Sequence, residues 1–145
     1  MAGLKLLAKD ADDLGVIAAA LQDSILRVAD ISYAKTSRNL SLRLWRFRNE
    51  AHIKAKAGER VLTGLRLDDV MSIQARGIDR SDPEALLVLL SIHFTPDDTP
   101  PGGVMILQFA GGGELRLTVE AVEAICADVS DPKPTDRVPL HPVDA

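Results

Sequence analysis

The chain predicts an α+β protein: an antiparallel seven-stranded sheet, closed into a barrel or strongly bent, with an N-terminal helix and a C-terminal capping helix. Three observations carry this. Runs of two-residue period follow one another with short turns and no crossover helix, so neighbouring strands are antiparallel. Apolar residues at helical spacing occur near the two ends, around Leu14 to Leu21 and Val122 to Val129. Between the strands Val104–Phe109 and Glu114–Leu117, the triplet Gly111-Gly112-Gly113 supplies a tight turn.

The elements follow in order. Leu4 to Ala8 is a short apolar lead-in, read as an edge strand. Asp10 is a good N-cap, and Asp12 and Asp13 favour the positive end of a helix dipole. Leu14, Ile17, Ala18 and Leu21 continue that helix to about Asp23. Ile25 to Tyr33 reads as a strand, bulged where alternation slips near Ala29-Asp30. Lys35 to Asn39 is a polar turn. Leu40, Leu42 and Leu44 then alternate with Ser41, Arg43 and Trp45, the cleanest strand pattern in the chain, and Arg46, Phe47 and Arg48 extend it.

Asn49 to Glu59 reads as a long loop. Arg60 to Leu67 is a strand broken by Asp68-Asp69, and Val70 to Arg76 is another, ended by Gly77. Leu86 to Phe94 is continuously apolar but for Ser91 and His93, as expected for a strand buried on both faces for part of its length. Pro96 to Gly103 is a loop before the glycine hairpin. Thr118 is placed as the cap of the closing helix, whose stripe is Val122, Ile125, Cys126 and Val129. From Ser130 the prolines exclude helix or inner strand. The organisation is therefore one domain over 1–129 and an extended or disordered Pro-rich tail over 130–145.

Composition bounds the function. With 145 residues and 46% apolar residues the chain can bury a core, but aromatics are only 3%, so aliphatic side chains must build it. The single cysteine, Cys126, excludes an internal disulfide. No signal peptide and no membrane span are visible, so the expected location is cytoplasmic. Net charge is −4 and unevenly placed: Lys35 to Arg60 holds eight Lys/Arg against two acids, a net +6, while the remainder is −10. Acidic neighbours in space are the simplest balance for that segment.

Chemistry finds little support. His52, His93 and His141 lie far apart and not at helical spacing from Cys126, so no metal is expected. Cys126 falls on an apolar stripe with Glu123 and Asp128 nearby, the wrong sign for an activated thiolate. The glycine triplet joins two strands, whereas a phosphate cradle opens onto a helix. Asp68-Asp69 and Asp97-Asp98 fit turn chemistry. No cofactor and no catalytic residue is assigned, and an enzyme is the less favoured reading.

Seven antiparallel strands followed by an amphipathic helix is the element order that resembles pleckstrin-homology-like barrels. At the level of residues, Leu4-Lys-Leu-Leu-Ala8, Asp10-Ala-Asp-Asp-Leu14, Leu21-Gln-Asp23, Thr63-Gly-Leu-Arg66, Arg76-Gly-Ile-Asp79 and Phe109-Ala-Gly-Gly-Gly113 together resemble the bacterial family called domain of unknown function 2948. The resemblance spans about Leu4 to Val129 and implies a small single-domain cytoplasmic protein of alphaproteobacterial type, with no activity to transfer.

Lipid-binding pleckstrin-homology domains carry a lysine before a basic-x-Arg. Here Lys35 precedes Arg46-Phe47-Arg48, with Arg38 and Arg43 between, and Arg46 and Arg48 share the inward face of Leu40, Leu42 and Leu44. That would place guanidinium groups at a barrel mouth, fit for a phosphate or carboxylate. In an open sheet, Arg43, Trp45 and Phe47 instead form a basic-aromatic outer face. Three functions stand: an interaction module binding a protein partner or itself through Trp45 and Phe47, a binder of a small anion or anionic headgroup at Lys35, Arg38, Arg43, Arg46 and Arg48, or an enzyme with a scattered site. The acidic total argues against nucleic acid.

Overall fold

In the computed structural model, which describes residues 3–48, 58–130 and 133–135, Asp10 ends one element and begins the next. Strand β1, Lys5–Ala8, leads into helix α1, Ala11–Leu21. The Asp10 carboxylate accepts from the Asp13 amide at 2.8 Å, satisfying one of the amides a helix start leaves open. Leu14, Ile17 and Leu21 are fully buried, so the predicted stripe is the one that packs.

The run after the helix is two strands, β2 (Ile25–Arg27) and β3 (Ile31–Ala34), separated by a single 3-10 turn, Val28–Asp30. The cause is local. Asp30 accepts from the Arg27 amide at 3.0 Å and from its guanidinium at 3.2 and 3.3 Å, which folds the chain sideways where alternation slips.

The remaining strands are β4 (Asn39–Arg48), β5 (Gly58–Leu67), β6 (Val70–Arg76), β7 (Leu86–Pro96), β8 (Gly103–Phe109), β9 (Glu114–Val119), β10 (Ala124–Asp128) and β11 (Lys133–Thr135). Among the described residues there are thus eleven strands and one α-helix, not seven strands and two helices. The expected loop Asn49 to Glu59 lies outside the described residues as far as 57. Of the tail, only Lys133–Thr135 is described after Ser130. It pairs with β5 alone, a place where Pro134 has no inner ladder to break.

The closing helix is the main correction. Thr118 sits within β9, and Ala124–Asp128 is a strand held on both sides, by β1 and by β5. Val122, Ala124 and Cys126 are the buried residues, a two-residue period. The helical stripe of Val122, Ile125, Cys126 and Val129 shares two positions with that alternation, and Val129 is 62% exposed. Without this segment sequence-distant β1 has no strand partner among the described residues and β5 is unpaired on its second side over Thr63–Leu67, and these ladders decide the conformation. The pleckstrin-homology-like order loses its last element with the helix.

The strands run in the order β1-β10-β5-β4-β2-β7-β8-β9-β6, all antiparallel, with β3 beside β4 and β11 beside β5. This path folds over on itself, because one core joins residues from both halves: Leu40, Leu42, Leu65 and Leu67 meet Met105, Leu107, Leu115 and Leu117. At the β5–β6 corner Asp69 adopts φ 59°, its carbonyl accepts from Glu120 and the Arg38 carbonyl accepts from Val70. α1 packs on β1 and β7.

Candidate interaction face

β4 has two faces. Leu40, Leu42, Leu44 and Arg46 point to the core, while Ser41, Arg43, Trp45 and Phe47 point away. The ladders carry that outer face across four strands. Ser41, Arg66, Ile125 and Leu7 form one row; Arg43, Gly64, Ala127 and Lys5 form the next. Trp45 lies opposite Leu62, whose carbonyl accepts from Val129, and Phe47 lies opposite Arg60.

Gly64 shapes this surface. It stands in the middle of β5, between β4 and β10, and lacks a side chain where its neighbours in the row have one. A shallow depression of ≈ 220 Å³ results, walled by Ile125, Ala127 and Val129 and flanked by Arg43 and Arg66. Nothing in the fold demands glycine there. Its φ is not positive, and a Cβ would meet only the Ala127 carbonyl and Val129 Cγ1, both at 4.0 Å. A glycine inside a strand lowers stability for want of packing. Val129 in that wall is 62% exposed, and Leu7, next to Ile125 in its row, is 60% exposed.

The basic residues are placed along β4 rather than gathered. Lys35 and Arg38 lie in the turn before it, and Arg38 pairs with Glu120. Arg43 is exposed on the outer face and makes no ion pair among the described residues, though Asp30 feels its charge. Arg48 ends the strand opposite Glu59. Ten residues of extended chain put Arg38 and Arg48 roughly 33 Å apart. The five residues therefore form no single mouth.

Arg46 faces inward, as its parity predicts, but into the protein. Its Nε and Nη2 donate to the two carboxylate oxygens of Asp128, both at 2.9 Å, and both side chains are 7% exposed. Asp128 also accepts from Thr63 Oγ1 and from the Leu4 amide, each at 2.8 Å. Burial pushes the Asp128 carboxyl up, yet these hydrogen bonds and the Arg46 charge outweigh it and hold it below the usual carboxylate range. The pair ties β4, β5, β10 and the start of β1 together.

Trp45 and Phe47 are half-buried. Arg60, beside them, is nearly covered: it donates to the carbonyls of Asp23 and Trp45 at 3.0 and 3.1 Å and its guanidinium lies 5.3 Å from the Phe47 ring centre. Burial lowers its pKa, opposed by the Asp23 charge. Burial raises the Cys126 thiol to about 11, with the Asp128 charge adding to it, so the thiolate is scarce at neutral pH.

Sequence reasoning missed Gly64, Leu7, Ile125 and Val129 as one surface. The available signal was a glycine interrupting the alternation of β5. The other half lay in a segment read as helix, where the same residues face differently.

Fold and surface together define an antiparallel α+β protein with one α-helix among the described residues, a core shared by both halves of the sheet and an open outer sheet face. The chain belongs to the family described as Protein of unknown function (DUF2948), which matches residues 4–141. That match runs past Val129 into the proline-rich segment. No curated protein and no solved structure matches the chain. No helix among the described residues is long and apolar enough to cross a membrane.

Proposed function

We propose that this protein is a non-enzymatic interaction module whose outer sheet face takes an acidic segment with apolar side chains from a protein partner. The observation that carries this is Gly64: a stability-lowering residue, required by no contact or backbone angle, that opens an apolar depression. Leu7, Ile125 and Val129 offer apolar contact, and Lys5 and Arg43 set the charge. Trp45 and Phe47 lie further along the same face of β4. Charge selects the partner. Two copies meeting face to face through this surface would oppose Arg43 to Arg43 and Arg66 to Arg66, whereas an acidic segment is drawn to both.

The small-anion reading at Lys35, Arg38, Arg43, Arg46 and Arg48 is weaker, since Arg46 is committed to Asp128 and the others are spread over the strand and the turn before it.

A displayed peptide library selected against the full chain tests the reading. Recovered peptides are expected to combine acids with apolar residues, and Arg43→Glu is expected to weaken them at least about tenfold while leaving the melting temperature in place. Recovery of no binder, or binders indifferent to Arg43→Glu, overturns it. Gly64→Ala separates fold from function. It is expected to raise stability by about 0.5–1 kcal/mol and to weaken the same peptides by filling the depression.

A further inference from the structure

Among the described residues the strand path ends at β6, and β3 pairs with β4 alone, so each leaves one edge without a ladder. These two edges border a cavity of ≈ 300 Å³. The inward side chains of both strands reach it: Ile31 and Tyr33 share the face of their core partners Leu42 and Leu40, and Ile73 and Ala75 that of Leu117 and Leu115. It is therefore a cleft into the rim of the core, at the size where small-ligand pockets begin.

Its shape is built in. The 3-10 turn that shifts β3 away from β2 brings Val28 to the wall. The Tyr33 hydroxyl donates to the Val70 carbonyl at 2.8 Å and fixes one end of the gap. Ala75, a small residue at an inward position, leaves the middle open. Gly77, at φ 68°, turns the chain back so that Ile78 and Arg80 reach the cleft. A Cβ at Gly77 would come within 3.3 Å of the Gly112 carbonyl oxygen and Gly113 Cα, so the two glycine turns are seated together.

Arg80 is the one charged residue in the lining. Among the described residues it has no ion pair and no hydrogen bond from its side chain. Of the acids in its loop, Asp79 is engaged by the Ser81 amide and hydroxyl, and Glu84 pairs with Arg27 at 3.1 Å. Asp82 is the remaining acid of the loop and forms no ion pair with Arg80 among the described residues. An aliphatic cleft with one available guanidinium suits a molecule with an apolar body and one carboxylate.

We propose that the cleft between β3 and β6 binds a small aliphatic carboxylate, its chain against Ile31, Ile73 and Leu115 and its carboxylate on Arg80. At the roughly 30 Å³ that a water-sized group occupies, the volume takes on the order of ten heavy atoms, the size of octanoate.

Titration of the isotope-labelled full chain with octanoate and with octan-1-ol, followed by NMR, tests this. Both probes are expected to give saturable shifts at Ile31, Tyr33, Ile73 and Ala75. Arg80→Gln is expected to weaken octanoate at least about fivefold and to leave octanol unchanged. Ala75→Phe fills the cleft and is expected to abolish both while the remaining resonances keep their dispersion. If those four residues show no saturable shift, or if Arg80→Gln affects both probes equally, the proposal is overturned. The outer face lies on the other side of the sheet, so peptide binding there is expected to survive Ala75→Phe.

Discussion

Asp128 accepts four hydrogen bonds in a place that is nearly dry, and its partner Arg46 is as deeply buried, each side chain being 7% exposed. Asp128→Asn takes the charge from an acceptor of buried, charge-assisted hydrogen bonds and is expected to cost at least about 1–3 kcal/mol. The pH dependence follows from the sign of the shift. The folded carboxyl titrates below the unfolded one, so its stabilisation is complete above the unfolded value of about 3.9 and is lost as pH falls through the folded value. Urea midpoints of wild type and Asp128→Asn should thus lie far apart at pH 7 and converge as pH drops below about 4. A gap that does not change with pH would exclude this role. The direction of Arg46 was legible in the two-residue period of its strand. Its function was not, because Asp128 lies 82 positions away and only the ladder β4-β5-β10 brings them together.

At the scale of elements, α1 and the strands from Leu40 to Phe109 were legible for a common reason. Most carry their own boundary signal and a pattern that fits one period only; the exception is the nearly continuous apolar run from Leu86 to Phe94, where Leu86 and Leu90 are 62% and 37% exposed. Asp10 caps the helix, and the glycine triplet turns the hairpin, where Gly111 and Gly112 adopt φ 87° and 98°. The segment 122–129 has apolar residues that fit either period, and its choice is made by the strands on either side. Far-UV circular dichroism separates the two outcomes. The structure has 11 α-helical residues among those described, and a second helix of similar length would about double the helical contribution at 222 nm. The expected spectrum is that of a strand-rich protein. Gly103, at the start of β8, shows how tightly the neighbouring hairpin is closed. A Cβ there would overlap the Thr95 carbonyl and come within 2.7 Å of the Phe94 ring. Gly103→Ala should lower stability by about 1–3 kcal/mol in a denaturant melt, in contrast to the gain expected from Gly64→Ala.

Over the whole molecule, the charge asymmetry of the sequence resolves in space. The basic segment meets acids from distant strands and turns, Arg38 with Glu120 and Arg46 with Asp128, and leaves Arg43 outward. The same long reach governs folding. β1, near the start of the sequence, has β10 as its one strand partner among the described residues, and β10 also completes β5. The sheet cannot be finished until residues 124–128 arrive, so closure joins parts of the chain more than a hundred residues apart. Such topology predicts refolding on the millisecond-to-second scale. It also predicts how a shortened chain behaves. A chain ending at Val119 keeps β1 to β9 but loses the strand between β1 and β5. Leu6, Leu65 and Leu67 are then uncovered, Arg46 is left buried without Asp128, and β1 has nothing to pair with. A cap lying over a finished sheet would leave a weaker but still cooperative protein when removed. An inserted strand leaves none, and the expected result is a broad, non-cooperative urea transition with collapsed near-UV signal. A sharp transition in the shortened chain would place residues 124–128 outside the sheet.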